Sequence, residues 1–558
     1  MSDARPWLRS YPKGVPAEID FGDYTSIVSV FETAVAKYGD QVAFMNFGKS
    51  ITYRELDELS RRFASFLVND LKLKKGERVA LVMPNILQYP IAIFGVLRAG
   101  LTVVNTNPMY TVREMKHQLA DSGAAAVVVL HNFADTVAAA TADTQVRHVI
   151  TTGIGDMLGF PKGPLINFML KYVKKQIPDA DLPNAIDFRQ ALARGKAPLP
   201  DIEISLKDIA FLQYTGGTTG VAKGAMLTHG NLVANMLQSS AWLGRLIRHG
   251  VETIVTALPL YHIFALTANC LVFIQFGGRN MLITNPRDLP GFVKELKSVP
   301  FTAITGVNTL FNGLLNTPGF DQVDFSSLRM TLGGGMAVQR AVAERWKQTT
   351  GCTLVEAYGL TETSPAACMN PLDLAEFNGA IGVPISSTDA CVKSETGEIL
   401  PVGEVGELCI RGPQVMVGYW NRPEDSAKAV DGDGWLHTGD MAKMDEAGFF
   451  YIVDRKKDMI LVSGFNVYPN EVEDVIAQMP GVLEVAAVGV PDEKSGEAVK
   501  VVIVKKDPAL TAEDIKAFCR KELTGYKQPR FVEFRSELPK TNVGKILRRE
   551  LRESVKAG

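Results

Sequence analysis

The stretch Ile209-Ala-Phe-Leu-Gln-Tyr-Thr-Gly-Gly-Thr-Thr-Gly-Val-Ala-Lys-Gly224 organises the reading of the whole chain. An apolar run, Ile209 to Gln213, reads as a buried strand. It breaks at Tyr214 into a turn built from Gly216, Gly217, Gly220 and Gly224. Glycines let the main chain approach a phosphate closely and turn its N–H groups toward it. Thr215, Thr218 and Thr219 add hydroxyl donors, and Lys223 adds a positive charge. Together they suit a polyphosphate. The pattern is not a Walker A loop, because Lys223 stands between Ala222 and Gly224 where that loop needs Gly-Lys-Ser/Thr.

Around this strand and turn, the first third of the chain alternates helical and strand patterns. Thr52-Tyr-Arg-Glu55 reads as a capping box, and Leu56, Leu59, Phe63 and Phe66 recur at helical spacing after it. Arg78 to Met83 and Ala124 to Leu130 are apolar throughout, as strands buried on both faces are. An α/β class with parallel sheets and crossovers is the expectation. The 558 residues are too many for one core, at roughly 100–200 residues per domain. With 59 Lys plus Arg against 61 Asp plus Glu, the chain lacks the basic excess of a nucleic-acid scaffold, so no nucleic acid is expected as partner.

None of the six cysteines forms a Cys-x-x-Cys pair and no His stands at zinc spacing, which argues against a disulfide framework or a structural zinc site. A reducing, cytoplasmic setting is the default. The opening MSDARPWLRSYPKG has no apolar core, so no signal peptide is expected. Thr253 to Gly278 has no charged residue and could span a bilayer on length alone, but Pro259 splits it. It reads as a buried strand (about 253–258), a loop and a buried helix (about 263–275). The segment 153–178 interleaves Phe, Leu, Ile and Met with Lys162, Lys171, Lys174 and Lys175. It reads as an amphipathic surface helix, with a membrane-surface segment as the alternative.

The charge cluster Asp454-Arg-Lys-Lys-Asp458 follows a strand (Phe449 to Val453) and marks a boundary. A compact α+β pattern follows, with helices at about 469–479 and from Thr511 to about Leu523, strands at about 483–490 and 498–505, and a basic helix at the end. The expected division is a large domain over 1–454, a hinge at 455–458 and a small domain over 459–558.

The run from Tyr214 to Gly224 closely resembles the phosphate loop of the adenylate-forming superfamily, which includes acyl-CoA synthetases, adenylation domains and luciferases. Gly216 replaces the usual Ser or Thr, and Ala222 the usual Pro. Tyr358-Gly-Leu-Thr-Glu362, Gly333-Gly-Gly-Met336, Trp435-Leu-His-Thr-Gly-Asp440, Tyr451-Ile-Val-Asp-Arg455 and Pro539-Lys-Thr-Asn-Val-Gly-Lys545 match further motifs in order, so the resemblance covers about 25 to 552. It is closest to bacterial long-chain-fatty-acid–CoA ligases. It implies a large N-terminal domain of two βαβ-type sheet subdomains plus a small β-barrel-like subdomain, and a small mobile α+β C-terminal domain.

By resemblance, Gly333, Gly334, Gly335, Tyr358 and Gly359 lie about adenine and Thr361 meets the α-phosphate. Thr218 and Glu362 hold Mg²⁺, while Asp440, Tyr451 and Arg455 serve the ribose side. Lys457 is the hinge and Lys545 the catalytic lysine. Ser463, Gly464 and Phe465 face CoA; His262, Gly306 and Val307 line the acyl tunnel, with His262 near the reacting carboxylate. The implied partners are fatty acid, ATP and CoA, with peripheral contact to the cytoplasmic face of the inner membrane and a homodimer.

The implied reaction is fatty acid activation, for β-oxidation and lipid synthesis, in two halves: acyl-AMP plus pyrophosphate, then acyl-CoA plus AMP. Leu258 to Leu266 contains no Asp to pair a substrate ammonium; Tyr261, His262 and Phe264 stand there instead, which fits an apolar tail. The alternatives are a medium-chain or aryl acid–CoA ligase, a luciferase-type acyl-adenylate oxygenase, and a non-catalytic lipid-binding protein.

Overall fold

The computed structural model describes residues 5–216, 222–244, 246–492, 495–541 and 544–553. Two mixed sheets, a smaller antiparallel sheet and a C-terminal sheet with its own helices make an α/β protein.

A seven-stranded sheet runs in the order Ile186–Asp187, His148–Thr152, Ala124–Leu130, Arg78–Val82, Thr102–Asn105, Ile209–Gly216, Ala222–Thr228. Only its last pair is antiparallel. Ala124–Leu130 is buried at every position, as its unbroken apolar composition requires. The nine-stranded sheet places Leu354–Gly359, Met330–Gly333, Ala303–Gly306, Thr253–Thr256, Arg279–Leu282 and Val42–Asn46 side by side and parallel. Antiparallel strands close both of its edges.

The helix Tyr53–Ser65 starts as expected: Thr52 Oγ1 accepts from the Glu55 N–H at 3.1 Å, and Glu55 accepts from the Thr52 N–H at 2.7 Å. Such a cap contributes about 1 kcal/mol. The uncharged run after Thr253 forms a buried strand, Thr253–Thr256, and a buried helical stretch over 265–275. Its polar groups are paired inside the protein. Asn269 donates to Thr256 Oγ1 at 3.2 Å and accepts from Thr305 Oγ1 at 2.9 Å. Among the described residues no helix is long and apolar enough to cross a membrane.

Four antiparallel strands, Asp389–Lys393, Gly406–Arg411, Leu436–Met444 and Phe450–Arg455, form the third sheet. Five residues after Arg455 the chain enters a different sheet, at Ile460–Val462. That sheet orders Phe465–Val467, Ile460–Val462, Gly496–Lys505 and Val482–Asp492, with Phe531–Arg535 also pairing Gly496–Lys505. Helices Pro469–Ala477 and Ala512–Glu522 cover it, the second capped by Thr511. A separate core of Ile460, Val472, Ile476, Val501 and Ile503 holds this part together.

Candidate functional site

The ends of the nine-stranded and four-stranded sheets and one C-terminal turn converge on Lys545. Tyr214, Thr215 and Gly216 end one strand and pair directly with Gly224, Lys223 and Ala222 on the next. Gly217, Thr218, Thr219 and Gly220 lie outside the described residues. Tyr214 is anchored from behind, its hydroxyl donating to Asp121 at 2.7 Å, and its ring lies where a Cβ on Gly224 would come within 3.0 Å. Lys223 is partnered by Asp425 at 2.9 Å and lies over the Tyr419 ring.

The parallel strands Ala303–Gly306, Met330–Gly333 and Leu354–Gly359 bring Gly306, Gly333 and Tyr358 to one edge. Gly334 continues the register, its N–H donating to Gly306 O at 3.2 Å. The Tyr358 hydroxyl donates to Asp440 at 2.6 Å. Asp440 stands directly opposite Arg455 in the antiparallel sheet, and its other oxygen lies 3.5 Å from the guanidinium. Burial and the Asp440 charge hold the Tyr358 phenol well above its ordinary value, so it stays protonated and acts as donor. Gly359 turns so tightly that a Cβ would meet the Pro365 carbonyl, and Thr361 follows at the start of a short turn. Glu362 next to it accepts from the Tyr419 hydroxyl at 2.6 Å.

Lys545 reaches this edge from a hairpin-like turn in which Thr541 N–H donates to Lys545 O at 2.7 Å and Lys545 N–H to Thr541 Oγ1 at 3.1 Å. Two left-handed glycines make the approach. Gly335 sits at φ +78°, and a Cβ there would lie 3.4 Å from Lys545 Cε. Gly544 sits at φ +83°; a Cβ would come 2.7 Å from Thr309 Oγ1 and 3.2 Å from Val307. Thr309 instead donates to Gly544 O at 2.9 Å, and Asn312 donates to Leu483 O at 2.8 Å. These bonds tie the C-terminal sheet to the helix Asn308–Leu315.

Burial pushes the Lys545 ammonium down to about 8; Arg455 adds to the fall, and Asp440 and Glu362 oppose it. His262 is driven down to about 3 by burial and then by Lys545, so its imidazole is neutral. It stands beside Phe264, whose ring would meet a Cβ on Gly334 at 3.1 Å. Lys545, His262, Val307, Gly335, Tyr358, Glu362, Asp440 and Arg455 thus form one neighbourhood.

Tyr451, Ser463, Gly464 and Phe465 make their contacts outside it, whereas Lys457 lies near enough to Arg455 and Asp440 for their charges to act on it. Tyr451 donates to Asp445 at 3.1 Å, toward the far end of the Arg455 strand. Ser463 and Gly464 turn in left-handed conformation, and Phe465 is exposed with its ring stacked 4.8 Å from Tyr526. The Lys457 carbonyl accepts from Arg552 at 3.4 Å, and burial lowers the Lys457 ammonium.

Sequence reasoning gave no role to Asp121, Tyr419, Asp425, Thr309 or Arg548, because each acts on its partner across a long chain separation and no local pattern marks it. Glu362 is an oxygen ligand of the kind Mg²⁺ takes. Among the described residues no group of three or more His, Cys, Asp or Glu could hold a metal. The fit rests on the Glu362 carboxylate itself, since Mg²⁺ commonly binds one or two carboxylates and completes its shell with substrate phosphates and water.

Residues 31–420 match the AMP-binding enzyme family, and residues 471–545 match the AMP-binding enzyme C-terminal domain. The chain is 60% identical over 551 residues, 99% of its length and 98% of the relative's, to a long-chain-fatty-acid–CoA ligase of Escherichia coli O6:H1. It is 53% identical to the ligase of the same name in Haemophilus influenzae, covering 98% of each. Among solved structures, ATP-bound MatB from Rhodopseudomonas palustris superposes with a TM-score of 0.82 at 29% identity, over 95% of this chain and 99% of that one. The chain belongs to the AMP-binding enzyme family.

Proposed function

We infer that the protein is an ATP-dependent, AMP-forming long-chain fatty acid–CoA ligase, built as a large lobe to residue 454, a hinge at 455–458 and a small lobe over 459–558. The observation that carries this reading is the meeting of Lys545, from the C-terminal end, with Glu362, Asp440 and Arg455 of the large lobe.

In the first half-reaction the substrate carboxylate attacks the α-phosphorus of ATP and pyrophosphate leaves. Both reactants are anions. Unit charges about 4 Å apart repel by about 1 kcal/mol in water and about 4 kcal/mol at an effective dielectric near 20. Lys545, Lys223 and the N–H groups of the 214–224 turn supply countercharge, and Thr361 donates to the α-phosphate. Thr218 and Glu362 would hold Mg²⁺, which neutralises phosphate charge when bound. Asp440 accepts the ribose hydroxyls, held in place by the Tyr358 hydroxyl, and Arg455 bridges toward phosphate. Adenine lies along Gly333, Gly334 and Gly335 against the Tyr358 ring.

In the second half-reaction the CoA thiol attacks the acyl carbonyl and AMP leaves. Lys545 is then no longer needed. Rotation about Lys457 carries it away and brings Ser463, Gly464 and Phe465 to the CoA side, which also keeps water from the mixed anhydride between steps. The exposed Phe465 is consistent with a surface awaiting that turn.

The acyl chain enters past His262, Gly306 and Val307. A neutral His262 beside Lys545 leaves this wall without a second charge, so it suits an uncharged tail. Each buried CH₂ contributes about 0.8 kcal/mol, enough for a long alkyl chain to be gripped by burial alone. The same reading extends to peripheral association with a membrane. Phe160, Leu165, Phe168, Met169, Tyr172 and Val173 are all exposed in the segment that carries Lys171, Lys174 and Lys175.

Fatty-acid-dependent release of pyrophosphate from ATP, followed by CoA-dependent release of AMP, tests the reading. Pyrophosphate release that ignores fatty acid would refute it.

A further inference from the structure

The outer face of the four-stranded sheet carries a second constellation that the ligase reading does not use. Ala390, Val392, Leu408 and Ile410 face the core, so Cys391 and Cys409 point the other way. The two are direct cross-strand partners, and Cys409 is in turn the partner of His437. Opposed residues on antiparallel strands have Cα atoms about 4.5–5.5 Å apart, inside the roughly 4.4–6.8 Å that a disulfide spans. Neither sulfur is joined in a disulfide in this structure.

The surroundings suit thiol chemistry. Lys393 and Arg411 flank the pair, at 5.3 and 4.6 Å from the Trp435 ring. The neighbouring Cys409 sulfur, with the charges of Lys393 and Arg411 behind it, lowers the Cys391 thiol against its burial. Cys409 is completely buried, and its sulfur lies 3.5 Å from His437 Nδ1. His437 Nε2 lies 3.3 Å from Asp431, which also accepts from Lys393 at 3.0 Å. Glu407 stands 3.7 Å from Nδ1. A carboxylate, an imidazole and a thiol in line make a route for the Cys409 proton. A metal site is not the better reading, since no metal-holding cluster occurs among the described residues.

We propose that Cys391 and Cys409 are a reversible dithiol–disulfide pair, in which His437 takes the Cys409 proton as the bond closes. With hydrogen peroxide as oxidant, the Cys391 thiolate attacks one peroxide oxygen. An S–O bond forms, the O–O bond breaks, and hydroxide leaves and is protonated to water. The Cys409 sulfur, its proton passed to His437, then attacks the Cys391 sulfur. The S–S bond forms, the S–O bond breaks, and a second water leaves. Two thiols lose two electrons and the peroxide is reduced to two waters; a dithiol reductant reverses the change.

The test treats the full-length reduced protein with hydrogen peroxide, blocks free thiols and maps peptides by mass. The expected result is a Cys391–Cys409 link that dithiothreitol removes, while half-buried Cys352 stays reduced. His437→Gln is expected to slow closure by about 100-fold, the lower end of general-base assistance, and to accumulate a sulfenic acid at Cys391. In Cys391→Ser, a change at a half-buried position, Cys409 is expected to stay reduced. Equal oxidation of Cys352, or sulfinic acid at Cys391 with Cys409 untouched in the wild-type chain, would overturn the proposal. The readout is independent of ligase activity.

Discussion

Arg548 lies 3.3 Å from the carboxylate of Asp454, a side chain with no exposed surface. The same guanidinium is 2.8 Å from Glu473 and 3.6 Å from Asp458, and it donates to Asn470 at 2.5 Å. Asp454 also accepts from the Arg455 and Asn470 N–H groups at 2.7 and 2.9 Å. Three residues after Lys545, the chain is therefore pinned to the residue that precedes Arg455. Burial raises the Asp454 carboxyl to about 6 in spite of Arg548, so losing the cation would leave a buried carboxylate held only by the two N–H groups.

Arg548→Gln is accordingly expected to cost about 3–5 kcal/mol, the usual cost of stripping one partner from a buried pair. Adding Asp454→Asn should return part of it. Chemical denaturation measures both. Acyl-AMP formation should fall further than thioester formation from supplied acyl-AMP, because only the first depends on where Lys545 sits. Equal loss in both halves would reduce Arg548 to a folding role.

Tyr419 gives Glu362 its 2.6 Å hydrogen bond. Removing the hydroxyl in Tyr419→Phe takes away about 1 kcal/mol of orientation. The Mg²⁺ concentration at half-maximal adenylation should rise about fivefold, with the fatty acid dependence unchanged. A Mg²⁺ titration at saturating ATP decides it.

Glu356 is buried, accepts from the Val338 N–H at 2.8 Å and is pushed up to about 8 by burial. The native state therefore holds a proton that the unfolded chain, with an ordinary carboxyl near 4.5, releases. Its contribution to stability is complete below that ordinary value and is lost as pH rises through about 8. Unfolding free energy should decline with pH across this window, and Glu356→Gln should flatten the decline. Denaturation at several pH values compares the two; an unchanged slope in the variant would contradict the assignment.

The 160–173 face should bind anionic vesicles weakly and in a salt-sensitive way. Phe168→Asp, at an exposed position, should lower co-sedimentation without changing pyrophosphate release in detergent-solubilised substrate. Unchanged co-sedimentation would remove this surface from the account.

Much of this arrangement was legible because its parts are local. The capping box at Thr52, the both-face-buried strand at Ala124 and the strand before Tyr214 each rest on spacing within one element. Asp440 and Arg455 were legible as motif residues, but their facing register was not. That register depends on which strands of the antiparallel sheet pair, and on a bulge between Met441 and Ala442. Asp121 supports Tyr214 from 93 positions away, and Tyr419 supports Glu362 from 57. Contacts of that kind are fixed by packing, which a linear pattern does not carry. The cysteine pair escaped notice for the same reason: 391 and 409 match no motif, and only strand pairing sets them opposite each other.

The central claim is that Lys545 serves one half-reaction only. Lys545→Ala assayed separately in each half tests it most directly. The expected result is near-complete loss of acyl-AMP formation with acyl-CoA formation from supplied acyl-AMP retained. In the wild-type enzyme, adenylation should decline above about pH 8 as the ammonium discharges, a limb absent from the thioester step. Equal loss of both halves in Lys545→Ala, or full retention of adenylation, would contradict the account.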